Sequence, residues 1–198
     1  HLTDYSVKIQ TCLNKAYIVL ARSLGVSVLP CAASESRPPV LLTEKGLCPF
    51  EGCVYREWVT RKKTPTYSAP EKNARVIGHL SAGTRVRALT GEVHTAQPGK
   101  FRVRKPYDKY KPGDLIWLYG YHGEGVYTVW FAGKLYEVEF SSVNYDGEGG
   151  YRCDDEDWCW GVLEQAPKSV WWVKVQAPDG RIGWTNQPEN FDGKDLLG

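Results

Sequence analysis

The sequence predicts an all-β protein, and three observations lead to that prediction. Aromatic residues make up 13% of the chain, and aromatic and β-branched side chains favour strands. The 20 glycines and 12 prolines divide the chain into short segments, which leaves little room for long helices. From Tyr55 onward many segments alternate apolar and polar residues, the period of a strand with one buried face. The chain is otherwise ordinary for a globular protein, with 42% hydrophobic and 24% charged residues.

The amino-terminal residues 1–33 have the pattern of an export leader. An apolar run at 16–30 follows basic residues, and Ala32 and Ala33 suit a cleavage site. The run is too short and interrupted for a transmembrane helix, which needs about 20 apolar residues. We therefore expect a leader, helical if present, and a secreted or periplasmic protein that meets a membrane only through this leader or a lipid on Cys31. An amphipathic helix that packs on the domain is the alternative.

Cysteine usage agrees with export. With Cys12 and Cys31 in the leader, an even set of four cysteines remains, as expected in an oxidising compartment. These are Cys48, Cys53, Cys153 and Cys159. The short segments "CPFEGC" and "CDDEDWC" favour two local disulfides. A four-sulfur zinc site is the alternative, although these spacings are wide for one. The acidic run at 154–157 lacks the order of a calcium-binding loop, so we predict neither a metal nor a cofactor.

The densest strand pattern is "WWVKVQAPDGRIGWT", residues 171–185. Trp171, Val173 and Val175 share one face of a strand, and Gly180 of "PDG" can supply the turn to a return strand. This reading places Trp171 and Trp184 in a core and points Trp172 outward. A second hairpin turn is predicted at 132–134.

Charge divides the chain into two parts. Residues 56–111 hold 14 Lys and Arg against 4 Asp and Glu, whereas residues 112–198 hold 6 against 15. Such a division indicates two modules that have different partners or face each other, unless the charges are merely those of solvated surfaces.

Two segments resemble bacterial SH3 domains. "EWVTRKKTPTYSAPEKNARVIGHLSAGTRVRAL" (57–89) is similar to the opening strands of these domains, and 171–185 is similar to their closing hairpin. The resemblance implies small, strongly bent β-barrels. Two barrels in tandem is the favoured arrangement, and one barrel split by an insertion at about 91–170 is the alternative. In the tandem plan a linker (34–54) precedes barrels at 55–107 and 108–187, an acidic cysteine-containing loop occupies 141–168, and 188–198 is a tail.

Function is expected to be binding rather than catalysis. The four histidines lie in no H-E-x-x-H motif, and the chain has no G-x-S-x-G or phosphate-binding glycine loop. The resemblance implies peptidoglycan, another anionic envelope polymer or a protein as the partner, and an exported location argues against nucleic acid. Aromatic rings suit sugars and peptides. The candidate binding aromatics are Tyr67, Tyr119, Tyr121, Trp130, Trp160 and Trp172, although strand alternation makes a core position the default for Trp117 and Trp130.

A basic face is expected beside these aromatics if the strands align. Its candidates are Arg61, Lys62, Lys63, Arg85, Arg87, Arg102, Arg104 and Lys105. Two alternatives stay open. A structural interaction subunit would bury Trp172, Tyr119 and Tyr121, and a cell-wall enzyme would need a cleft where a free cysteine or a histidine meets a carboxylate.

Overall fold

The regular structure in the described part of the chain is nearly all β. The computed structural model describes residues 37–140, 144–145, 151–152 and 160–196. These belong to the compact unit Arg37–Gly198, and the unit His1–Ser36, with the predicted leader, lies outside them. The described residues contain strands, one 3₁₀ helix and no α-helix, which confirms the all-β fold class. No helix in this part of the chain has the length and apolarity needed to cross a membrane.

The strands are short, apart from three of nine or more residues. In chain order they are β1 (Leu42–Lys45), β2 (Glu57–Thr60), β3 (Thr64–Tyr67), β4 (Val76–Leu80), β5 (Arg85–Gln97), β6 (Gly99–Val103), β7 (Leu115–Gly123), β8 (Val126–Phe131), β9 (Lys134–Glu139), β10 (Asn144–Tyr145), β11 (Tyr151–Arg152), β12 (Gly161–Gln165), β13 (Lys168–Gln176), β14 (Ile182–Thr185) and β15 (Phe191–Asp192). A 3₁₀ helix, Pro188–Asn190, precedes β15.

Two large sheets carry most of these strands. The first is a curled eight-stranded sheet in the order β15-β2-β5-β13-β14-β3-β4, with β1 also paired to β5. The second has five strands in the order β12-β6-β7-β8-β9, and β10 and β11 form a separate two-stranded pair. All pairings between the described strands are antiparallel, both between successive strands and between strands far apart in the chain, such as β5 and β13.

The strand pairing differs from the predicted barrels at 55–107 and 108–187. Strand β13 pairs with β5 along most of its length, from Lys168 opposite Gln97 to Gln176 opposite Arg87. Residues 168–192 therefore complete the sheet that 57–97 begins, and the strands of the second sheet, β6 to β9 and β12, lie between them in the chain. This is the arrangement of one sheet interrupted by an insertion. The segment 57–89 has no closing hairpin of its own because β13 and β14 supply it.

The predicted linker and tail also contain strands. Within 34–54, β1 pairs with β5, and the Gly46 N–H donates to the Gly91 carbonyl at 2.7 Å. Within 188–198, β15 pairs with β2, and Phe191 is fully buried against Trp58. Both strands are too short to show a periodic pattern in the sequence. Of the predicted acidic loop, 161–165 lies in the second sheet and 168 begins β13, whereas 141–143, 146–150 and 153–159 lie outside the described residues.

Each sheet buries its own core. The core of the eight-stranded sheet contains Trp58, Leu80, Val86, Ala88, Val173, Val175 and Phe191. The core of the five-stranded sheet contains Phe101, Val103, Tyr110, Ile116, Leu118, Tyr127, Val129, Phe140 and Trp160. Burial of two separate sets of large side chains explains how two sheets of moderate size can each be stable.

Both predicted hairpins are confirmed. Strands β13 and β14 pair from Val173 opposite Thr185 to Gln176 opposite Ile182, and Gly180 takes a φ of 84° in the turn between them. In the turn between β8 and β9, Ala132 and Gly133 have φ values of 49° and 86°. Positive φ at both central residues matches the right-handed twist of the flanking strands.

Candidate functional site

Three of the predicted binding aromatics are buried. The exposed fraction is 1% for Tyr119 and 4% for both Trp160 and Trp172. The Tyr119 hydroxyl donates to the Pro39 carbonyl at 2.7 Å. Trp160 stacks on Phe140 inside the core of the five-stranded sheet, with ring centroids 5.0 Å apart. These rings offer little surface to a ligand, and Trp160 in particular is a structural residue.

Trp172 lies on the predicted outer side of its strand, but it is buried there rather than exposed. Strand alternation does place it opposite the core residues Val173 and Val175. However, Tyr67 of β3 packs edge-on against it, with ring centroids 5.6 Å apart. Trp184 lies opposite both Tyr67 and Lys174 in the strand register, so it belongs to this outer group rather than to the core.

Two tryptophans occupy the outer face of the five-stranded sheet on neighbouring strands. Trp117 of β7 is the direct cross-strand partner of Trp130 of β8, on the face opposite Ile116 and Val129. Both rings are partly exposed, and Leu135, the next partner on β9, is 44% exposed. Neither indole N–H is a buried unpaired atom, and neither has an acceptor within the described residues. The polar and apolar parts of both rings are therefore available to a ligand.

A line of cations lies along β6, the strand next to that of Trp117. Lys100 is the cross-strand partner of Trp117, and its ammonium nitrogen lies 5.3 Å from the centre of the Trp117 ring. Arg102 follows on the same face of β6, and Arg104, just beyond the strand, continues the alternation. Residues Lys100, Arg102, Arg104, Trp117 and Trp130 together are called the outer face below.

One carboxylate lies among these cations. Glu164 of β12 accepts hydrogen bonds from Nε and Nη2 of Arg102 at 2.9 and 3.2 Å. These bonds, together with the charges of Arg102, Arg104 and Lys100, hold the pKa of Glu164 below its usual range. The side chains of Arg102 and Glu164 are 34% and 37% exposed, so the ion pair is accessible to solvent.

The predicted basic face is divided between the two sheets. Arg102 lies on β6 of the five-stranded sheet, and Arg104 and Lys105 follow directly after that strand. The other five, Arg61, Lys62, Lys63, Arg85 and Arg87, lie on or after strands of the eight-stranded sheet. All of these five are exposed, and Arg61 is held by the Glu189 carbonyl at 2.6 Å and by the Asp192 carboxylate at 3.4 Å.

Lys100, Trp117 and Glu164 are site residues that sequence reasoning missed. The alternation in "GKFRVRK" predicts a strand with a wet basic face, which the outward positions of Lys100 and Arg102 confirm. The same alternation in "LIWLYG" could have placed Trp117 outward, since Ile116 and Leu118 are its buried neighbours. Glu164 could not be placed on a strand face in this way, because it lies in a segment predicted to be a loop. Its pairing with β6 is also irregular, since the register shifts between Leu163 and Gln165.

A separate open cleft lies beside the disulfide loop. Cys48 and Cys53 form the predicted local disulfide, with Cα atoms 5.7 Å apart, whereas Cys153 and Cys159 lie outside the described residues. The cleft is lined by this loop and by the end of β7, with His122 on one wall. Tyr121, another predicted binding residue, is partly buried nearby, and its hydroxyl donates to Glu51 at 3.2 Å.

The cleft brings His122 close to a carboxylate, as an enzyme would require. His122 Nε2 lies 2.8 Å from the Thr128 hydroxyl and 3.5 Å from Glu44 Oε1. In a catalytic triad the hydroxyl and the carboxylate bind opposite nitrogens of the imidazole ring. Here both approach Nε2, so Glu44 does not orient the ring for proton transfer from Thr128. The geometry is that of a structural cluster.

The described residues contain no metal-binding cluster, and comparisons with known proteins do not identify the site. Within the described residues no three His, Cys, Asp or Glu side chains are grouped in a way that could hold a metal ion. No protein family, curated protein or solved structure matches the chain. The function must therefore be inferred from the outer face and the cleft themselves.

Proposed function

We propose that this protein is a non-enzymatic, exported binding module that recognises an envelope polymer or a peptide through the outer face. One observation carries the proposal. Trp117 and Trp130 are direct cross-strand partners on the solvent side of a sheet whose core lies on the other side. Large aromatic rings in that position bring apolar surface into contact with water.

The neighbouring charges indicate an anionic partner. Three cations follow one another along β6 and its continuation, next to the strand that carries Trp117, and Glu164 forms an ion pair with only one of them. Charge complementarity of this kind speeds association and orients the bound partner. Peptidoglycan and other anionic envelope polymers offer both apolar sugar faces and negative groups.

We also propose a relationship to bacterial SH3 domains for the eight-stranded sheet. The hairpin of β13 and β14, and its return to the strands at 57–97, support this relationship. In this view the five-stranded sheet is an insertion that carries the binding site.

Retention on purified cell walls at low salt tests the proposed function. We expect the wild-type protein to be retained, and the double variant Trp117→Ala/Trp130→Ala to lose most of that retention. Val76→Ala is the matched control, since Val76 is an exposed apolar residue (47%) on the other sheet. Absence of retention for the wild-type protein would overturn the proposal.

The structural interaction subunit is the second candidate. The burial of Tyr119 and Trp172 favours it, because both were expected to be exposed in a ligand-binding module. This candidate predicts that the Trp117→Ala/Trp130→Ala variant binds cell walls as well as the wild-type protein does. The enzyme alternative rests on His122. It predicts that the wild-type protein hydrolyses cell walls and that His122→Ala does not, so equal hydrolysis by the two proteins, or none by either, would contradict it.

A further inference from the structure

We infer that the polymer is a carboxylate-bearing polysaccharide, and that Glu164 competes with its carboxylates for Arg102. This inference rests on the proposed function and names the ligand class and an internal competitor for the same site.

The first step is the geometry of the ion pair. A carboxylate that accepts from both Nε and Nη2 of a guanidinium makes the strongest and most directional contact available to arginine. The Arg102–Glu164 pair therefore shows how Arg102 would hold a carboxylate of a ligand. While Glu164 is paired with Arg102, the charge of the arginine is neutralised and it does not attract an uncharged polymer. Only another anion can replace Glu164 in this contact.

The second step is the low cost of displacing Glu164. Exposed ion pairs contribute little stability, because water and salt screen them. Glu164 also lies where the register between β12 and β6 shifts, between Leu163 opposite Phe101 and Gln165 opposite Lys100. Releasing Arg102 would thus disturb neither the core nor the regular strand pairing.

The third step concerns the sugar rings. The ammonium group of Lys100 lies over Trp117, whereas within the described residues no cation lies over Trp130. A sugar ring would stack on Trp130, and Lys100 would move from Trp117 to meet a negative group. From β8 to β6 the site spans two strand spacings, about 10 Å. That span is longer than one sugar ring, so a chain fits the site better than a monosaccharide.

An acidic peptide is the competing ligand. It would satisfy Arg102 and Lys100 but has no sugar ring to place on two adjacent indoles. Polygalacturonate, polyglutamate and dextran therefore separate the contributions, since the first has carboxylates on sugars, the second has carboxylates without sugars, and the third has sugars without carboxylates.

The experiment measures binding of these three polymers by calorimetry for the wild-type protein, Glu164→Gln and Glu71→Gln. Glu71 is an exposed residue in the loop between β3 and β4, so Glu71→Gln makes the same change of charge away from the site. We expect Glu164→Gln to bind polygalacturonate about two- to fivefold more tightly. Glu71→Gln should match the wild-type protein, polyglutamate should bind more weakly, and dextran affinity should not respond to Glu164→Gln.

Three results would overturn the inference. They are equal affinity for polyglutamate and polygalacturonate, no tightening in Glu164→Gln, or equal tightening toward dextran. Arg102→Gln gives a second readout, since it should lose the preference for polygalacturonate over dextran, and circular dichroism establishes that each variant is folded. If cell walls retain the protein while polygalacturonate does not bind, the inference fails and the proposed function stands. If cell walls and all three polymers fail to bind, both fail.

Discussion

The Glu44 carboxylate on β1 accepts the Gly120 backbone N–H on β7 at 2.7 Å, and this hydrogen bond joins the two sheets. Glu44 belongs to the eight-stranded sheet and Gly120 to the inserted one. The position of Gly120 has no room for a side chain, because an added Cβ would clash with Glu44 and Leu47. The two sheets are therefore held together by a specific polar contact as well as by packing.

Removing the acceptor at position 44 should destabilise the protein. Glu44→Ala leaves the Gly120 N–H without its partner, and we expect the free energy of unfolding to fall by about 1–3 kcal/mol. Glu44→Gln retains an acceptor and should remain within about 1 kcal/mol of the wild-type protein. Urea unfolding measures both, and Thr43→Ala, at an exposed neighbouring position, is the control. Equal stability of Glu44→Ala and Glu44→Gln would show that the hydrogen bond is unimportant.

The tryptophans of the five-stranded sheet should respond differently to truncation. Trp160→Ala empties a buried site among four aromatic rings and should cost about 3–5 kcal/mol. Trp117→Ala and Trp130→Ala remove partly exposed rings and should each cost less than about 1.5 kcal/mol, while cell-wall retention falls markedly. Thermal unfolding and the retention assay compare the three variants. Similar instability in all three would place Trp117 and Trp130 in the core after all.

Local patterns in the sequence predicted the strands and hairpins well. The alternation around Trp171 and the turn at Gly180 depend on residues close together in the chain, and both are confirmed. The pairing of β5 with β13 could not be read in this way, because a whole inserted sheet separates the two strands. A split sheet and two successive barrels have the same local pattern.

The candidate site was only partly predictable for a similar reason. Alternation gives the two faces of a strand, but the sequence does not say which face meets another element. Trp172 lies on the outer side as expected, yet Tyr67 from a distant strand packs against it. Trp117 was assigned to a core by default because it lies on an alternating strand, although its neighbours Ile116 and Leu118 are the residues that face the core.

The disulfide between Cys48 and Cys53 should contribute modest stability. It closes a short loop, and the entropy lost by the unfolded chain grows with loop length, so about 1–2 kcal/mol is expected. The double variant Cys48→Ala/Cys53→Ala should therefore stay folded with a lower urea midpoint. A loss above about 4 kcal/mol would mean that the bridge also fixes the packing of the neighbouring segment.

Two buried tyrosine hydroxyls should have opposite effects when removed. Within the described residues the Tyr110 hydroxyl is buried without a hydrogen-bond partner, whereas the Tyr119 hydroxyl donates to Pro39. Tyr110→Phe removes an unsatisfied polar group and should leave stability unchanged or raise it by about 1 kcal/mol. Tyr119→Phe removes the donor to the Pro39 carbonyl and should lower the free energy of unfolding by about 1 kcal/mol. Urea unfolding measures the stability of the two variants. A Tyr110→Phe variant less stable than the wild-type protein would contradict the conclusion that the Tyr110 hydroxyl has no hydrogen-bond partner.

Tyr110 and Tyr119, together with the partly buried Tyr55, should make the fold sensitive to alkali. Burial raises the pKa of Tyr55, Tyr110 and Tyr119 to about 12, mainly because the phenolate would be poorly solvated. The folded protein thus holds these protons more tightly than the unfolded chain, whose tyrosines titrate near pH 10. Their contribution to stability is complete below pH 10 and is lost as the pH rises toward 12, by up to about 2 kcal/mol for each residue. Absorbance at 295 nm follows the ionisation of the tyrosines, and circular dichroism follows unfolding. We expect both changes over the same pH range. Tyr119→Phe should make the loss of stability above pH 10 less steep, and an unchanged slope would show that Tyr119 ionises without unfolding the protein.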